Sequence, residues 1–346
     1  MKALVYHGAG KKSWEEKAQP QLIESTDAVV RIIKTTICGT DLHILKGDVP
    51  TVDEGRILGH EGIGIVESVG ESVRNIKVGD KVIISCITVC GSCHYCKRQL
   101  YSHCVDGGWI LGHRIDGTQA ELVRIPHADN SLHRLPEGVD EEAALMLSDI
   151  LPTGLEIGVI NGKVQPGQTI ALIGAGPVGL SALLASQFYS PAHIIMIDND
   201  DNRLHVAQQF GANIVINPTH QNVVEEIQKL TNGIGVDVAI ECVGIPATFK
   251  MCQDIITAGG YIANVGVHGK SVELHLEKLW IKNITITTGL VNTSSTPMLL
   301  KSVQSGKISP EKLVTHRYRL NEIETAYEVF ANAAQEKALK IVLAAE

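Results

Sequence analysis

Hydrophobic and polar positions alternate differently in the two parts of the chain. In the first third, short β-like runs are separated by glycines, as in residues 28–35, 62–70 and 80–85, and this predicts a β-rich, barrel-like domain. From about Thr153 onward, strand-like runs alternate with amphipathic stretches. Such alternation calls for an α/β domain, a doubly wound parallel sheet with helices on both faces. Its predicted strands are residues 169–174, 193–198, 213–217, 236–241, 260–266 and 283–288, with predicted helices at 202–212 and 222–231.

The tail after Gly289 contains one more predicted helix, residues 296–306, and ends in a predicted strand, residues 338–345. The parallel sheet is already complete before this point, so we expect the tail to return to the first domain. The predicted organisation is therefore one domain from residues 1–152 and 290–346, and a second domain from residues 153–289.

Length and composition agree with two soluble domains and exclude some partners. The chain has 346 residues, of which 44% are hydrophobic and 20% charged, as in an ordinary globular protein. Its net charge is −8 and it has no basic block, so nothing favours binding to nucleic acid or to an anionic membrane. The apolar run Ala3 to Tyr6 is too short for a secretory signal, and we expect a cytoplasmic location.

One uncharged stretch, residues 169–188, is long enough to cross a membrane. Its centre contains three glycines and a proline, so we interpret it as a buried strand, a tight turn and a buried helix. A helix that is covered on both sides is apolar all round for the same reason.

The glycines of this stretch form a GxGxxG motif between the predicted strand and the predicted helix. The first glycine permits the tight turn, the second lets a pyrophosphate approach the backbone, and the third packs the helix on the strand. A glycine-rich turn in an unrelated α/β protein is the alternative. The motif residues, which predict a dinucleotide site, are Gly174, Gly176, Pro177, Val178 and Gly179.

Asp198 ends the next predicted strand, about 20 residues after the motif, where a carboxylate binds the adenosine ribose. The carboxylate would repel the 2′-phosphate of NADP, and no Arg or Lys replaces it or follows it directly. The predicted cofactor is therefore NAD.

Four of the eight cysteines lie within fifteen positions, at Cys90, Cys93, Cys96 and Cys104. Four thiolates at this spacing can surround one zinc ion tetrahedrally, with no open position for catalysis. The first three also match the start of a ferredoxin cluster motif, but there the fourth cysteine follows three residues later and precedes proline. Here Cys104 precedes Val105. A structural zinc is the preferred interpretation, ahead of an iron site or incidental free thiols.

A second metal site is indicated by residues that lie farther apart. Cys38 follows a β-like run, and Gly59-His60-Glu61 precedes another. A catalytic zinc keeps three protein ligands and one open position, and Cys38 and His60 are the first two candidates.

The pattern GHExxGxxxxxGxxV, from Gly59 to Val73, precedes the cysteine motif and the GxGxxG turn. In this order, and over essentially the whole chain, the sequence resembles zinc-dependent alcohol dehydrogenases of the medium-chain dehydrogenase/reductase type. The resemblance implies a GroES-like catalytic domain in the first region and a Rossmann NAD-binding domain in the second. It also implies two zinc ions per chain.

Residues 147–154 look like the corresponding segment of bacterial NAD(P)-dependent secondary-alcohol dehydrogenases, where an aspartate is the third zinc ligand. This makes Asp149 the third candidate ligand, although many relatives carry cysteine there and an aspartate can instead cap a helix or turn. In the family, the glutamate that matches Glu61 lies next to the zinc and can enter its coordination shell.

The resemblance also implies the mechanism. The alcohol binds the open zinc position, and a hydride passes from its carbinol carbon to the nicotinamide. The proton leaves through Thr40 and the ribose to His43, and Asp41 supports the site. Gly39 replaces a phosphate-binding arginine of the horse-liver type, and Lys340 is the candidate for the missing cation.

The remaining site predictions concern the cofactor and the substrate pocket. Trp109 matches a pocket residue of the secondary-alcohol enzymes, and His94, His103 and His113 are interpreted as surface residues. Further cofactor contacts are predicted at Arg203, Val243, Val265 and Leu290, and an apolar pocket wall at Thr40, Ile87, Trp109 and Leu290.

This pocket favours small secondary or short-chain alcohols and their ketones or aldehydes. A polyol or threonine dehydrogenase of the same family is the alternative. A zinc-free quinone reductase or a non-catalytic binding protein is a more distant one, because such relatives lack both cysteine-containing motifs. By analogy with bacterial relatives, we expect a homotetramer.

Overall fold

The computed structural model describes residues 1–345, which divide into two compact units. The first unit comprises residues 1–149 and the described part of the tail from residue 292, and the second comprises residues 150–291. The strands are β1 (Lys2–Tyr6), β2 (Lys12–Glu16), β3 (Ala28–Thr36), β4 (Gly62–Val69), β5 (Lys81–Ile84), β6 (Leu122–Ile125), β7 (Leu132–Arg134), β8 (Thr169–Ile173), β9 (His193–Ile197), β10 (Ile214–Ile216), β11 (Val236–Glu241), β12 (Ile256–Asn264), β13 (Thr285–Thr288), β14 (Val314–Arg319) and β15 (Lys340–Ala344).

Helices occur in both units, and most of the longer ones lie in the second. They are α1 (Gly39–Lys46), α2 (Ala128–Ser131), α3 (Glu141–Leu145), α4 (Ile150–Thr153), α5 (Pro177–Ser186), α6 (Asp201–Gln209), α7 (Val223–Leu230), α8 (Pro246–Ile255), α9 (Leu276–Leu279), α10 (Thr296–Gln304), α11 (Ile323–Ala331) and α12 (Ala333–Glu336). A π-helical segment, Gly154–Ile160, continues α4.

The second unit is a doubly wound α/β domain, as predicted. Its six strands are parallel and lie in the order β10-β9-β8-β11-β12-β13. The chain therefore reverses direction across the sheet between β8 and β11, and nucleotides bind at the carboxyl ends of strands at such a point. The uncharged stretch at 169–188 forms β8, a turn and the buried helix α5. None of the helices in residues 1–345 is long and apolar enough to span a membrane.

The first unit is built around β3, most of whose residues are buried, among them Ala28, Val30 and Ile32. Antiparallel neighbours of β3 are β4, β6 and the terminal strand β15, which in turn pairs in parallel with β14. Strands β5 and β7 extend the sheet beyond β4, and β1 and β2 form a separate hairpin. This β-rich unit is the GroES-like domain that the resemblance implies.

The tail contributes to the core of the first unit. One apolar cluster joins β1, helix α1 and the tail helix α11, and its members include Leu4, Ile37, Ile44, Tyr327 and Phe330. Since α1 begins directly after Cys38, the tail packs on the segment that carries a candidate metal ligand.

Candidate active site

In the second unit, the backbone between β8 and α5 requires the glycines of the GxGxxG motif. Gly174 has a φ of +102°, and a Cβ there would lie 2.5 Å from Cγ2 of Val243. A Cβ on Gly179 would collide with the carbonyl oxygen of Gly174. Pro177 is at the start of α5, where its missing N–H costs no hydrogen bond. The helix N-terminus therefore lies beside a tight turn, an arrangement suited to bind a phosphate.

Asp198 lies against this turn. Its Oδ2 accepts a hydrogen bond from the backbone N–H of Ala175 at 2.6 Å, and its Oδ1 accepts one from Asp200 N at 2.9 Å. The guanidinium of Arg203 is also near, since its Nη1 would be 3.9 Å from a Cβ on Gly176.

The other predicted cofactor contacts of this unit are more scattered. Val243 and Leu290 have exposed side chains, and Val265 is partly buried after β12.

The four cysteines at 90–104 form a compact sulfur cluster in the first unit. Their Sγ atoms all lie within 4.8 Å of one another, and those of Cys90 and Cys96 are 3.9 Å apart. Four sulfurs at about 2.3 Å from a tetrahedral zinc are about 3.8 Å apart, so the cluster fits this ion. Backbone N–H groups of Cys96 and Val105 lower the pKa of Cys93 to about 6. These hydrogen bonds favour the thiolate form, which binds metals.

A second donor cluster unites residues from three parts of the first unit. Ligand atoms of Cys38, His60, Glu61 and Asp149 all lie within 4.8 Å of one another. Asp149 Oδ2 is 3.3 Å from His60 Nε2 and 3.8 Å from Cys38 Sγ. Cys38 lies between β3 and α1, His60 and Glu61 precede β4, and Asp149 precedes α4. One sulfur, one imidazole and one carboxylate are a donor set that suits a catalytic zinc.

The charges in this cluster favour a bound cation. Burial lowers the pKa of His60, but hydrogen bonds to Asp149 and Cys38 and the charge of Asp41 outweigh it and raise that pKa well above its usual value. Asp149, Cys38 and Asp41 thus favour a positive charge at or next to the His60 ring. A divalent metal ion would satisfy the same groups.

Lys340 forms a buried ion pair with a carboxylate of the donor cluster. Its ammonium and the Glu61 carboxylate are both about 1% exposed, and Nζ lies 2.8 Å from Oε1 and 3.0 Å from Oε2. The prediction that Lys340 replaces the cofactor-binding arginine stays a prediction, and the ion pair shows in addition that its ammonium neutralises a carboxylate of the donor cluster. A buried carboxylate needs a partner, and Lys340 is that partner for Glu61.

The predicted proton-relay residues lie on or beside helix α1. Thr40 Oγ1 is 3.6 Å from Cys38 Sγ, and His43 Nδ1 is 2.9 Å from Asp48 Oδ2. Asp48, just beyond the end of α1, was not identified from the sequence. Since the His43 ring is only partly buried, it can exchange protons with solvent.

Comparisons with known proteins agree with this architecture. Residues 24–137 match the alcohol dehydrogenase GroES-like domain, and residues 177–305 match the zinc-binding dehydrogenase domain. An alcohol dehydrogenase of Cupriavidus necator is 37% identical over 99% of this chain and 98% of its own length. The chain belongs to the zinc-dependent medium-chain alcohol dehydrogenases.

Two solved structures are also similar to this alcohol dehydrogenase. A zinc-dependent alcohol dehydrogenase 2 of Streptococcus pneumonia, in its apo form, is 58% identical with a TM-score of 0.96, over 100% of this chain and 99% of that one. The rspB alcohol dehydrogenase of Escherichia coli, in complex with NADH, is 25% identical with a TM-score of 0.90, over 99% of each chain. This enzyme is thus an oxidoreductase that acts on the CH–OH group of small-molecule alcohols.

The surroundings of the donor cluster correct one prediction from the sequence. Trp109 lies edge-on to His60, with ring centroids 6.4 Å apart, and packs against His113 at 4.5 Å. His113 is buried and bonds to Thr51 at 2.7 Å, so the interpretation of His113 as a surface residue is wrong. Ile87 is almost completely buried.

Cys86, one residue before Ile87, is a neighbour of the cluster that the sequence did not indicate. Its backbone N–H donates to Ser148 O at 3.0 Å. Burial, followed by the negative charges of Asp149 and Glu61, raises the pKa of the Cys86 thiol well above its usual value. The only signal in the sequence was a cysteine that belongs to neither metal motif.

Proposed function

We propose that this alcohol dehydrogenase oxidises small secondary alcohols to ketones with NAD and catalyses the reverse reduction. The observation that carries the proposal is the cluster of Cys38, His60 and Asp149 beside the Trp109 ring. This arrangement places a sulfur, an imidazole and a carboxylate, which can bind a metal ion, beside the apolar surface of the Trp109 ring. A small apolar substrate with a single hydroxyl group suits such a site.

In the proposed mechanism, Cys38, His60 and Asp149 would hold the catalytic zinc, and the four-cysteine cluster would hold a structural one. When bound, the catalytic zinc supplies a Lewis acid that stabilises negative charge on the substrate oxygen. As Thr40 accepts the hydroxyl proton, its own hydroxyl proton passes to the cofactor ribose and from there to His43, which is paired with Asp48 and releases a proton to solvent. Trp109 limits the size of the substituents on the carbinol carbon.

The proposal is tested by turnover with a panel of alcohols. The purified enzyme, with its zinc content measured, is assayed with NAD and 2-butanol, 1-butanol, sorbitol or threonine. We expect the highest kcat/KM with 2-butanol because a second alkyl group adds apolar contact with the pocket. A preference for 1-butanol would contradict the secondary-alcohol specificity. A preference for sorbitol or threonine would contradict the apolar pocket and favour the alternative of a polyol or threonine dehydrogenase.

We also propose that Asp198 selects NAD over NADP. Its Oδ2 already accepts from Ala175 N–H, and the free lone pairs suit a ribose hydroxyl group. The variant Asp198→Asn keeps an acceptor for Ala175 but removes the charge. We expect the ratio of kcat/KM for NAD to that for NADP to fall roughly 10- to 100-fold, since a hydrogen bond to a charged group contributes about 1.5–3 kcal/mol.

Asp200→Asn is the matched control for this substitution. Asp200 caps helix α6 by accepting from Asn202 N and Arg203 N, and asparagine caps a helix equally well. The control should keep the wild-type cofactor ratio. If Asp198→Asn keeps it too, Asp198 does not determine cofactor choice.

For the assembly, we propose a homotetramer. One end of the six-stranded sheet is formed by β13, and exposed apolar side chains of Leu276, Trp280 and Ile281 lie nearby in the chain. An apolar surface next to an edge strand supports contact with a second copy. Light scattering coupled to gel filtration should give four times the chain mass.

We also infer a cytoplasmic location, because thiolate metal ligands require a reducing compartment.

A further inference from the structure

Asp41 is a buried carboxylate with one of its oxygens unused. It is about 1% exposed, and its Oδ2 accepts hydrogen bonds from Cys38 N at 2.9 Å and from Gln119 Nε2 at 3.0 Å. Within the part of the chain that the structure describes, Oδ1 has no hydrogen-bond partner. It lies 3.9 Å from Nδ1 of His60. The two bonds to Oδ2 therefore hold the other oxygen towards the imidazole.

Gln119 connects Asp41 to the tail of the chain. Its Oε1 accepts a hydrogen bond from the Tyr327 hydroxyl at 2.8 Å, and its Nε2 also donates to Thr36 O at 3.2 Å. Both amide hydrogens thus meet oxygen acceptors, and the amide oxygen meets a donor. This pattern defines the orientation of the amide group.

Gln119 also contacts the backbone next to His60. Its N–H donates to Leu58 O at 2.9 Å. At Gly59, where φ is +92°, an added Cβ would lie 2.6 Å from Cγ of Gln119. One buried glutamine thus touches both the segment that carries His60 and the carboxylate that faces its ring.

We propose that Gln119 and Tyr327 are positioning residues of the catalytic metal site, acting on His60 through Asp41. The inference rests on the proposed role of His60 as a metal ligand. His60 Nε2 lies on the side of the donor cluster, 3.3 Å from Asp149 Oδ2, and a nitrogen that binds a metal carries no proton. The proton of the neutral ring therefore belongs on Nδ1, which faces Oδ1 of Asp41. A carboxylate in that position orients the ring and makes the imidazole a stronger ligand.

The connection joins residues that are far apart in the sequence. Tyr327 lies on the tail helix α11, 208 positions after Gln119. Its ring is packed in the apolar cluster with Leu4 and Ile44, and that packing does not need the hydroxyl group. The hydroxyl can therefore be removed with little change in the volume of the core.

Two variants interrupt the network at different points, and a third variant serves as a control. Tyr327→Phe removes the hydroxyl donor, whereas Gln119→Met removes every side-chain hydrogen bond at similar volume. Tyr6→Phe removes a tyrosine hydroxyl from the same apolar cluster and is the matched control. For each zinc-loaded enzyme, we would measure metal affinity of the catalytic site by chelator competition, kcat, KM and the absorption spectrum of the cobalt-substituted form.

We expect the affinity of the catalytic site to fall about tenfold in Tyr327→Phe and more in Gln119→Met, because partners of metal ligands typically contribute 10- to 100-fold. The cobalt bands of this site should shift and kcat should fall more than KM changes. The four-sulfur site and Tyr6→Phe should show wild-type values. If Gln119→Met does not fold, the metal affinity and cobalt spectrum of Tyr327→Phe alone test the inference.

Two results would overturn the inference in distinguishable ways. If Tyr327→Phe lowers only the thermal midpoint, with metal affinity and cobalt spectrum unchanged, the network is structural and does not position His60. If His60→Ala retains both metal ions per chain, His60 is not a ligand, and the proposed site fails together with the inference.

Discussion

Replacing His60 by alanine should remove one of the two metal ions from each chain and lower kcat/KM roughly 10³- to 10⁴-fold, since Lewis-acid stabilisation contributes several kcal/mol and each 1.4 kcal/mol is tenfold. His60 supplies the only imidazole of the donor cluster described by the structure. Without it, the cluster retains Cys38, Asp149 and Glu61, and the Glu61 carboxylate is already paired with Lys340. We therefore expect the remaining donors to hold zinc weakly. Metal analysis and steady-state kinetics on the same preparation test this expectation.

His113→Ala is the matched control, since His113 is also buried and contacts Trp109 but lies outside the donor cluster. It should keep both metal ions. In both variants, the four-cysteine cluster should retain its ion, which shows that the unit is folded. Wild-type turnover in His60→Ala would refute the proposed catalytic site.

Lys340→Met should lower the thermal midpoint of the zinc-loaded enzyme by about 10 °C, because removing one partner of a buried ion pair costs about 3–5 kcal/mol. The Glu61 carboxylate would remain about 1% exposed with its two short contacts to the ammonium lost. Calorimetry or dye-based unfolding at constant zinc concentration measures the shift.

Two further variants separate the ion pair from a general effect of losing lysine. Lys2→Met removes the exposed partner of Glu16 and should change the midpoint little, because exposed pairs contribute at most about 1 kcal/mol. The double variant Glu61→Gln/Lys340→Met should recover most of the lost stability, since no unpaired charge remains. If the single and double variants are equally destabilised, the loss comes from packing of the lysine chain instead.

Features with a short sequence span could be predicted from the sequence. The GxGxxG turn needs glycine partly for local reasons, the positive φ of Gly174 and the contact of Gly179 with the Gly174 carbonyl oxygen, and four cysteines within fifteen positions can surround one ion. The alternation of strands and helices likewise predicted the parallel sheet correctly, because each crossover is local. For the same reason, the apolar stretch at 169–188 could be interpreted as a strand and a buried helix.

Interactions between distant segments could be decided only in the tertiary structure. Lys340 pairs with Glu61, 279 positions away, and nothing near either residue in the sequence indicates the other. His113 is buried because Trp109 and Thr51 cover it, and Cys86 neighbours Asp149 through the backbone bond to Ser148.

The amino-acid sequence by itself thus determined the two-part architecture, the nucleotide turn and the cysteine cluster, since their geometry follows from local spacing and periodicity. It did not determine which buried charges and amides pair around His60. Gln119, Tyr327 and Lys340 come into place only when the tail strand β15 pairs with β3 and helix α11 packs on the first unit. A buried polar group takes the partner that the fold brings within reach, and that partner has no sequence signature.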